Sequence, residues 1–446
     1  MIQLSIFDCK PPVKVDKPIR LIELFAGIGS QAKALKNIGA NFEHYRVCEF
    51  DKYAVASYNA VHGTNFTTSD VRALTAEDLG IKETDKFFYI MTYSFPCQDL
   101  SLAGKQRGMG KGSQTRSSLL WEVERLLDDL AYRGGRQSLP QMLLMENVPN
   151  VHGKKNIENF NAWIEKLESL GYSNFWKDLN SKDFGVPQDR KRCFMVSLLD
   201  DCSYHFPSGF PLKIGLKDVL EQEVDEKYYI SEEQAKRIRA STFTERRSLI
   251  VPVPPTGGGA DAHANRARVP RNNLCRTIRA GGRSSFDGKH SWDIVEITEM
   301  VEVIQKGRGK NEGFCEERET CPTITSSFFE QNTLVSPHTK KVKVFQYPRG
   351  YNPGGEIGNK CYPTVRQDNT ERYTNAILQE GESRIRRLTP KETWRLMGFA
   401  DEDFEKASKV NSNTQLYKQA GNSIVVPVLE AIFKQILQGE ENGRQK

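Results

Sequence analysis

Apolar residues in this chain gather in short dense runs separated by helix-period segments, the alternation expected of a sheet covered on both faces. The run Phe87-Phe88-Tyr89-Ile90-Met91 is continuously apolar over strand length and ends in Ser94, Phe95, Pro96, Cys97 and Gln98. Proline cannot donate to a ladder, so Cys97 is expected on a loop at that strand's carboxyl edge, where open α/β sheets bind ligands. Upstream, IRLIELF predicts a strand, AGIGS a glycine turn and QAKALKNIG a helix; HYRVCEF and KYAVASYNAV repeat the pair, and a short strand is expected just before Asp70. Downstream, apolar residues at 119, 120, 123, 126, 127 and 130 give residues 117–133 a helical face. QMLLMENV (141–148) reads as a second buried strand, 156–171 as a helix, and FGVPQDRKRCFMVSLL as the approach to another strand. Near the carboxyl end, PKETWRLMGF reads as a helix opened by Pro390, with Thr389 or Arg387 before it. IVVPVLEAIFKQIL reads as an apolar closing helix entered from Gly421-Asn422-Ser423.

Residues 206–383 break this rhythm. Proline and glycine are frequent, helical periodicity fades after about residue 240, and three similar phrases recur: Cys275-Arg276-Thr277-Ile278, Cys321-Pro322-Thr323-Ile324 and Cys361-Tyr362-Pro363-Thr364-Val365. Short strands and loops are expected there. Arg266, Arg268, Arg271, Arg276, Arg279 and Arg283 concentrate positive charge suited to phosphates and guanine edges, although a solvated basic loop is the plainer reading of any one of them.

With 446 residues, 38% hydrophobic and 27% charged, the chain has the length of two or three soluble domains. No stretch reads as long enough for a bilayer span and the first residues lack a signal-peptide pattern, so a cytoplasmic protein without a membrane partner is expected. The nine cysteines form no CxxC pair and have no suitably spaced histidine, which points to reduced thiols and no metal site. A net charge of +6 is compatible with nucleic acid.

Candidate chemistry lies at the ends of the predicted strands. Gly27 and Gly29 permit a tight turn and close approach of a ligand, and Glu49 follows at the distance from which an acid hydrogen-bonds ribose hydroxyls. That pairing points to an adenosine-containing ligand, with a solvated helix-start acid as the alternative. Asp70 is placed to meet an adenine amino group. Glu146, ending an apolar strand at the same edge as Cys97, is expected to hold a proton more readily than an exposed carboxyl, unless it simply pairs with the next loop. Arg190 and Arg192 alternate and so share a face, suited to a phosphate or a pyrimidine carbonyl; surface charge is the alternative. Cys97 itself is either a buried structural thiol or a reactive one. The polar, cationic segment 104–116 that follows favours the latter.

FAGIG, CEFDKYA, SFPCQDLSLAGKQRGM, MENV, PQDRKR, RRLTPKETWRLMGF and QAGNSIVVPVLEAIF occur in the same order as in the cytosine-C5 DNA methyltransferases of bacteria and phages, which the chain resembles over 19–205 and 384–437. The resemblance implies a Rossmann-like, S-adenosylmethionine-dependent methyltransferase sheet of the α/β class, with a smaller β and loop target-recognition domain inserted before the last helix. The segments would be an extended tail (1–18), a catalytic domain (19–205), a target-recognition domain (206–383), a return segment (384–418) and a closing catalytic piece (419–446). By the same resemblance Cys97 is the nucleophile, Glu146 the proton donor, Arg192 the contact to the cytosine carbonyl, Arg190 its neighbour, and Gln98 fills the duplex gap or steadies the sugar. Phe25, Gly27, Ile28, Gly29, Glu49, Phe50, Asp70, Pro96, Leu119, Asn422 and Ser423 would hold S-adenosylmethionine, leaving S-adenosylhomocysteine as product. Ser101, Lys105, Gln106, Arg107, Arg276, Thr277, Arg279, Arg283, Thr323 and Thr364 would meet double-stranded DNA. Ala103 departs from the serine common in relatives, which bears on a loop contact only. A monomeric enzyme in restriction–modification, phage or solitary modification is implied. The alternatives are an RNA cytosine methyltransferase, for which the segment 206–383 is too long, and a catalytically dead DNA-binding protein, which the intact Cys97, Glu146, Arg190 and Arg192 oppose.

The tail holds Gln3-Leu4-Ser5-Ile6-Phe7, which resembles the peptide that bacterial proteins dock on the replication sliding clamp. An apolar pair packing on its own domain is the alternative. If clamp docking is right, replacing Leu4 and Phe7 together by alanine lowers clamp affinity at least about ten-fold in a fluorescence-anisotropy titration. Unchanged affinity removes the reading.

Overall fold

Strands covered on both faces are apolar along most of their length, and two segments follow this, with Thr92, Glu146 and Asn147 as their polar exceptions. β3 (Phe88–Tyr93) and β4 (Met142–Asn147) are buried at all six positions. They sit in the middle of a six-stranded sheet with β1 (Ile19–Leu24), β2 (Phe42–Cys48), β5 (Tyr172–Asn180) and β7 (Lys191–Leu199), in the order β2-β1-β3-β4-β7-β5. β2, β1, β3 and β4 are mutually parallel; β7 runs antiparallel to both β4 and β5. The short β6 (Gln188–Asp189) precedes β7. This is the Rossmann-like arrangement expected, with one reversed strand. The computed structural model describes residues 13, 15–97, 99–100, 108–113, 115–229, 231, 233, the strands between 292 and 358 given below, and 386–437.

Helices on the two faces are sorted by strand parity. Ile19, Leu21, Phe88, Ile90, Met142, Leu144, Phe194, Val196 and Leu198 join one core with α1 (Ser30–Asn37), α2 (Lys52–His62) and the carboxyl-terminal helices. Ile22, Leu24, Tyr89, Met91, Tyr93, Leu143, Met145, Cys193 and Met195 join the other. That core also takes in the four-residue α3 (Ala76–Leu79), α4 (Leu120–Gly134) and α5 (Ile157–Ser169). The carboxyl-terminal group comprises α6 (Pro390–Arg395), α7 (Asp401–Ser408), α8 (Asn413–Asn422) and α9 (Val426–Leu437). Thr389 and Glu392 form a capping box at α6, with Pro390 in its first turn. The fully buried Glu392 accepts two hydrogen bonds from Arg386, at 2.8 and 2.9 Å, and one from the Glu221 N–H at 2.9 Å.

A second sheet is built from β8 (Trp292–Asp293), β9 (Thr298–Gln305), β10 (Phe314–Glu317), β12 (Lys341–Tyr347) and β13 (Gly355–Gly358), in the order β10-β9-β13-β12-β8. β11 (Cys321–Pro322) pairs instead with β6.

Three sequence expectations are corrected. No strand precedes Asp70; its side chain accepts from the Arg72 N–H at 3.0 Å and opens a short 3-10 turn over Val71–Ala73. Asn422 and Ser423 close α8 instead of opening α9. The 25 residues Asn413–Leu437 do reach the length and apolarity of a membrane-crossing helix. They break into two helices around Ser423 and 61% of the apolar window is buried, because this stretch covers a sheet face.

Beneath the glycine turn lies a buried polar cluster. Glu23 accepts hydrogen bonds from the Ala32 N–H, at 3.4 Å, and from the Tyr58 hydroxyl, whose oxygen in turn accepts from His44 Nδ1 at 2.7 Å. His62 Nε2 donates to the Ile28 carbonyl at 3.0 Å. A Cβ on Gly29 would stand 2.3 Å from His62 Nε2 and 2.6 Å from Tyr58 Cε2, and its φ of +79° also demands glycine. Burial raises the Glu23 carboxyl from 4.5 to about 7 and lowers His62 to about 4. Between about pH 4.5 and 7 the folded chain therefore keeps a Glu23 proton that the unfolded chain has lost, so Glu23 makes stability fall as pH rises through that window. His62 acts in the opposite sense between about pH 4 and 6.5. Glu23→Gln removes the first contribution alone. Urea denaturation of wild type and variant is expected to diverge by on the order of 3 kcal/mol in favour of the variant on going from pH 4.5 to 7.5.

Candidate active site

Cys97 emerges, half-buried, just beyond the carboxyl end of β3, and its loop is held from two sides. Asn147, the last residue of β4, donates from Nδ2 to the Phe95 carbonyl at 3.0 Å. Ser117, wholly buried at the start of the turn leading into α4, donates to the Pro96 carbonyl at 2.6 Å. The two carbonyls preceding the thiol are thus fixed by different elements. Asp99 ties together the stems of the segment that follows: its carbonyl accepts from the Gly108 N–H at 3.2 Å and its carboxylate from the Arg116 N–H at 2.9 Å. Met109 is buried, and its carbonyl accepts from Trp121 Nε1 at 2.7 Å.

Three charged side chains converge on the thiol. Arg192 Nε lies 3.2 Å from Glu146 Oε1, and both side chains are largely buried. Arg190 is 3% exposed; one of its terminal nitrogens donates to the carbonyls of Gly421, at 3.2 Å, and Ser423, at 2.8 Å, while Nε and the other nitrogen have no hydrogen-bond partner among the described residues. Burial pushes the Glu146 carboxyl up, against the pull of Arg192 and Arg190. Burial also raises the Cys97 thiol; Arg192 works against this most, Glu146 adds to it, and Arg190 opposes it. Burial likewise disfavours the charge of Arg190, as does Arg192. The arrangement favours the protonated form of a buried carboxyl beside a thiol whose anion two guanidinium groups stabilise.

A second set of residues surrounds the crevice between β1 and β3, where the strand order reverses and ligands bind. Phe25 takes a positive φ of 58°, uncommon for a bulky residue and a sign of strain stored at a site. A Cβ on Gly27 would meet nothing within 4 Å, so the space over the turn is open. Glu49, one residue past β2, accepts from the Gly27 N–H at 2.9 Å and the Asp51 N–H at 2.8 Å, and each oxygen keeps capacity for a further donor. Burial raises its carboxyl while those backbone donors lower it. Phe50 is 74% exposed, leaving a ring face free for stacking. The buried Ser94 hydroxyl, just past the end of β3, has no hydrogen-bond partner among the described residues. Asp70 is engaged by the Arg72 guanidinium, which holds its carboxyl low, and lies next to Ser69, whose N–H donates to the Glu49 carbonyl at 3.0 Å. Leu119 is half-buried, Ile28 buried, and Pro96 half-buried. Asn422 is exposed between the two carbonyls that Arg190 grips, which places it beside the Cys97 site. The donors, the open turn and the exposed ring fit an adenosine-bearing cofactor.

Sequence reasoning missed Ser117, Asp99 and the pinning role of Asn147. Asn147 stood next to Glu146 at a strand end, a signal for an Asx contact; the other two gave no local one. Gln98, Ser101, Lys105, Gln106, Arg107, Arg276, Thr277, Arg279, Arg283, Thr323 and Thr364 lie outside the described residues.

The model of the C-5 cytosine-specific DNA methylases matches residues 19–438. The chain is 28% identical to the type II methyltransferase M2.ScrFI of Lactococcus lactis subsp. cremoris, over 95% of this chain and 100% of that one. It is 35% identical to the orphan methyltransferase M.SssI of Spiroplasma monobiae, over 65% of this chain and 94% of that one. Its fold is similar to that of the S. pombe Dnmt2 methyltransferase, with a TM-score of 0.55 at 18% identity, covering 94% of this chain and 98% of the other.

The electrostatics around Cys97 give a testable sign. Removing the Arg192 charge by Arg192→Gln takes away the largest influence opposing burial, so the thiol titrates at higher pH. The pH midpoint for iodoacetamide alkylation of Cys97, followed by peptide mass spectrometry, is expected to move up. A midpoint that stays in place or falls contradicts the assignment.

Proposed function

The chain belongs to the C-5 cytosine-specific DNA methylase family and is a DNA methyltransferase, and on that premise we propose that it methylates C5 of an extruded cytosine in a specific duplex sequence through a transient bond between Cys97 and the base. The observation that carries the proposal is the meeting of Cys97, Glu146 and Arg192 at one sheet edge, with Arg192 Nε 3.2 Å from Glu146 Oε1.

Carbon 5 of cytosine is too weak a nucleophile to attack an alkyl sulfonium while the ring is aromatic. The Cys97 thiolate adds to carbon 6, forming a C–S bond and pushing electron density towards carbon 5. Glu146, favoured by burial in its protonated form, gives a proton to ring N3, so the developing charge need not be carried by a carbanion. S-Adenosylmethionine, when bound, supplies the electrophilic methyl group. Loss of the carbon 5 proton to water then expels Cys97 as the thiolate, and N3 returns its proton to Glu146, restoring the ring and the site. Arg192 orients Glu146 and favours the thiolate; Arg190 stands behind it, anchored to the turn at Gly421 and Ser423. The cofactor would be held by Phe25, Gly27, Ile28, Gly29, Glu49, Phe50, Asp70, Pro96, Leu119, Asn422 and Ser423. A thiol at a strand edge cannot reach carbon 6 within stacked DNA, so the base must leave the duplex. Gln98 and the cationic residues Lys105 and Arg107 are assigned to that step, and residues 206–383 to reading the target site. The protein acts as a monomer in the cytoplasm, in restriction–modification, phage or solitary modification, with the tail around Leu4 and Phe7 docking on the sliding clamp.

Cys97→Ser is expected to abolish transfer of labelled methyl groups to DNA while preserving sequence-specific binding. Duplexes carrying 5-fluorocytosine at the target, which cannot lose a proton from carbon 5, should become covalently attached to wild type at residue 97 when the cofactor is supplied. Full turnover by Cys97→Ser, or no adduct at residue 97, overturns the mechanism.

A further inference from the structure

The opposite face of the active-site strands carries a group of side chains that the methyl-transfer chemistry does not use. His152 ends the short turn Pro149–His152 after β4, Asp178 lies on β5 and Cys193 on β7. One ligand atom from each, imidazole nitrogen, carboxylate oxygen and thiol sulfur, lies within 4.8 Å of the other two. Asp178 and Cys193 are direct cross-strand partners, and Cys193 is also paired with Asn147 of β4. His152 Nε2 stands 2.9 Å from Asp178 Oδ1, with its ring packed 4.7 Å from that of Trp176. We propose that His152, Asp178 and Cys193 form a binding site for a thiolate-favouring divalent cation of the zinc class, separate from the methyl-transfer centre.

Several features support that assignment. A nitrogen, an oxygen and a sulfur donor with one position left for water form a usual tetrahedral zinc set, and soft thiolate selects such an ion over magnesium or calcium. Ligand atoms around one ion stand about 3–4 Å apart; His152 Nε2 and Asp178 Oδ1 already stand 2.9 Å apart, so the movement needed is towards Cys193 Sγ, which lies within 4.8 Å of a ligand atom of each. His152 can supply that movement, because it sits on a short turn with 23% of its side chain exposed, whereas Cys193 is fixed in a central strand and wholly buried. The two carboxylate oxygens of Asp178 already divide their work: Oδ1 faces His152, and Oδ2 lies 3.1 Å from Lys191 Nζ. The ion would replace the His152–Asp178 hydrogen bond while Lys191 kept the outer oxygen, an arrangement typical of second-shell support. Binding would release the Cys193 thiol proton to solvent and leave the ion's two charges matched by one carboxylate and one thiolate. The Lys191 charge opposes the ion, but that side chain is half exposed and can withdraw.

Cobalt(II) is the probe, because only a bound thiolate gives it a strong sulfur-to-metal charge-transfer band. The full-length chain carrying Cys97→Ser, so that the reactive thiol cannot contribute, is titrated with cobalt(II) and then with zinc(II) as competitor. The expected result is a saturable band at one equivalent, displaced by zinc, absent in Cys193→Ala and weakened at least about ten-fold in affinity by His152→Ala. If Cys193→Ala does not fold, by circular dichroism, the half-exposed His152→Ala decides alone. No band, or a band whose strength and affinity neither substitution alters, overturns the proposal.

Discussion

The reversal of one strand is the constraint on which the site depends. β1, β3 and β4 deliver their carboxyl ends to one edge of the sheet, and with them Cys97 and Glu146. A further parallel strand would bring only its own carboxyl end to that edge. β7 runs the other way, so its first residues arrive there instead, and Arg192 faces Glu146 while Arg190 lies just outside the strand. Guanidinium groups that would be costly to bury alone become tolerable beside a carboxyl, a thiol and free carbonyls.

Parity then separates two groups of side chains on the same pair of strands. Glu146 pairs with Phe194, and Arg192 stands two residues before it, so these side chains share the face covered by α1 and α9. Asn147 and Cys193 point to the other face, with α5. Asn147 uses that face to fix the carbonyl of Phe95, while Cys193 meets Asp178 and His152 there. Asn147 thus positions the Cys97 loop from the face opposite Glu146.

The closing segment packs its apolar helices into the core over this face of the sheet and is also tied to the centre by a few buried hydrogen bonds. Arg190 grips the carbonyls on either side of Asn422, Ser57 Oγ donates to Gln419 at 2.9 Å, and Gln188 Nε2 reaches the Leu396 carbonyl. Residues more than 200 positions apart in sequence therefore share one hydrogen-bonded frame. Buried donors demand partners, which gives these few bonds their influence on how the return segment is seated.

Strand runs, helix periods and the glycine turn were legible in the chain because they depend on local side-chain pattern, as with the wholly buried β3 and the capping residues Thr389 and Glu392. Ordered motifs likewise singled out Cys97, Glu146 and the two arginines as candidates, and each stands at a strand end, where the structure brings them to one edge. Tertiary structure alone decided the rest. Ser117 meets Pro96, Asp99 meets Arg116, and Glu23 meets Tyr58 only after distant elements pack, and no local periodicity encodes such distances. The same holds for His152, Asp178 and Cys193, whose sequence spacing shows no metal pattern and which cross-strand register brings together.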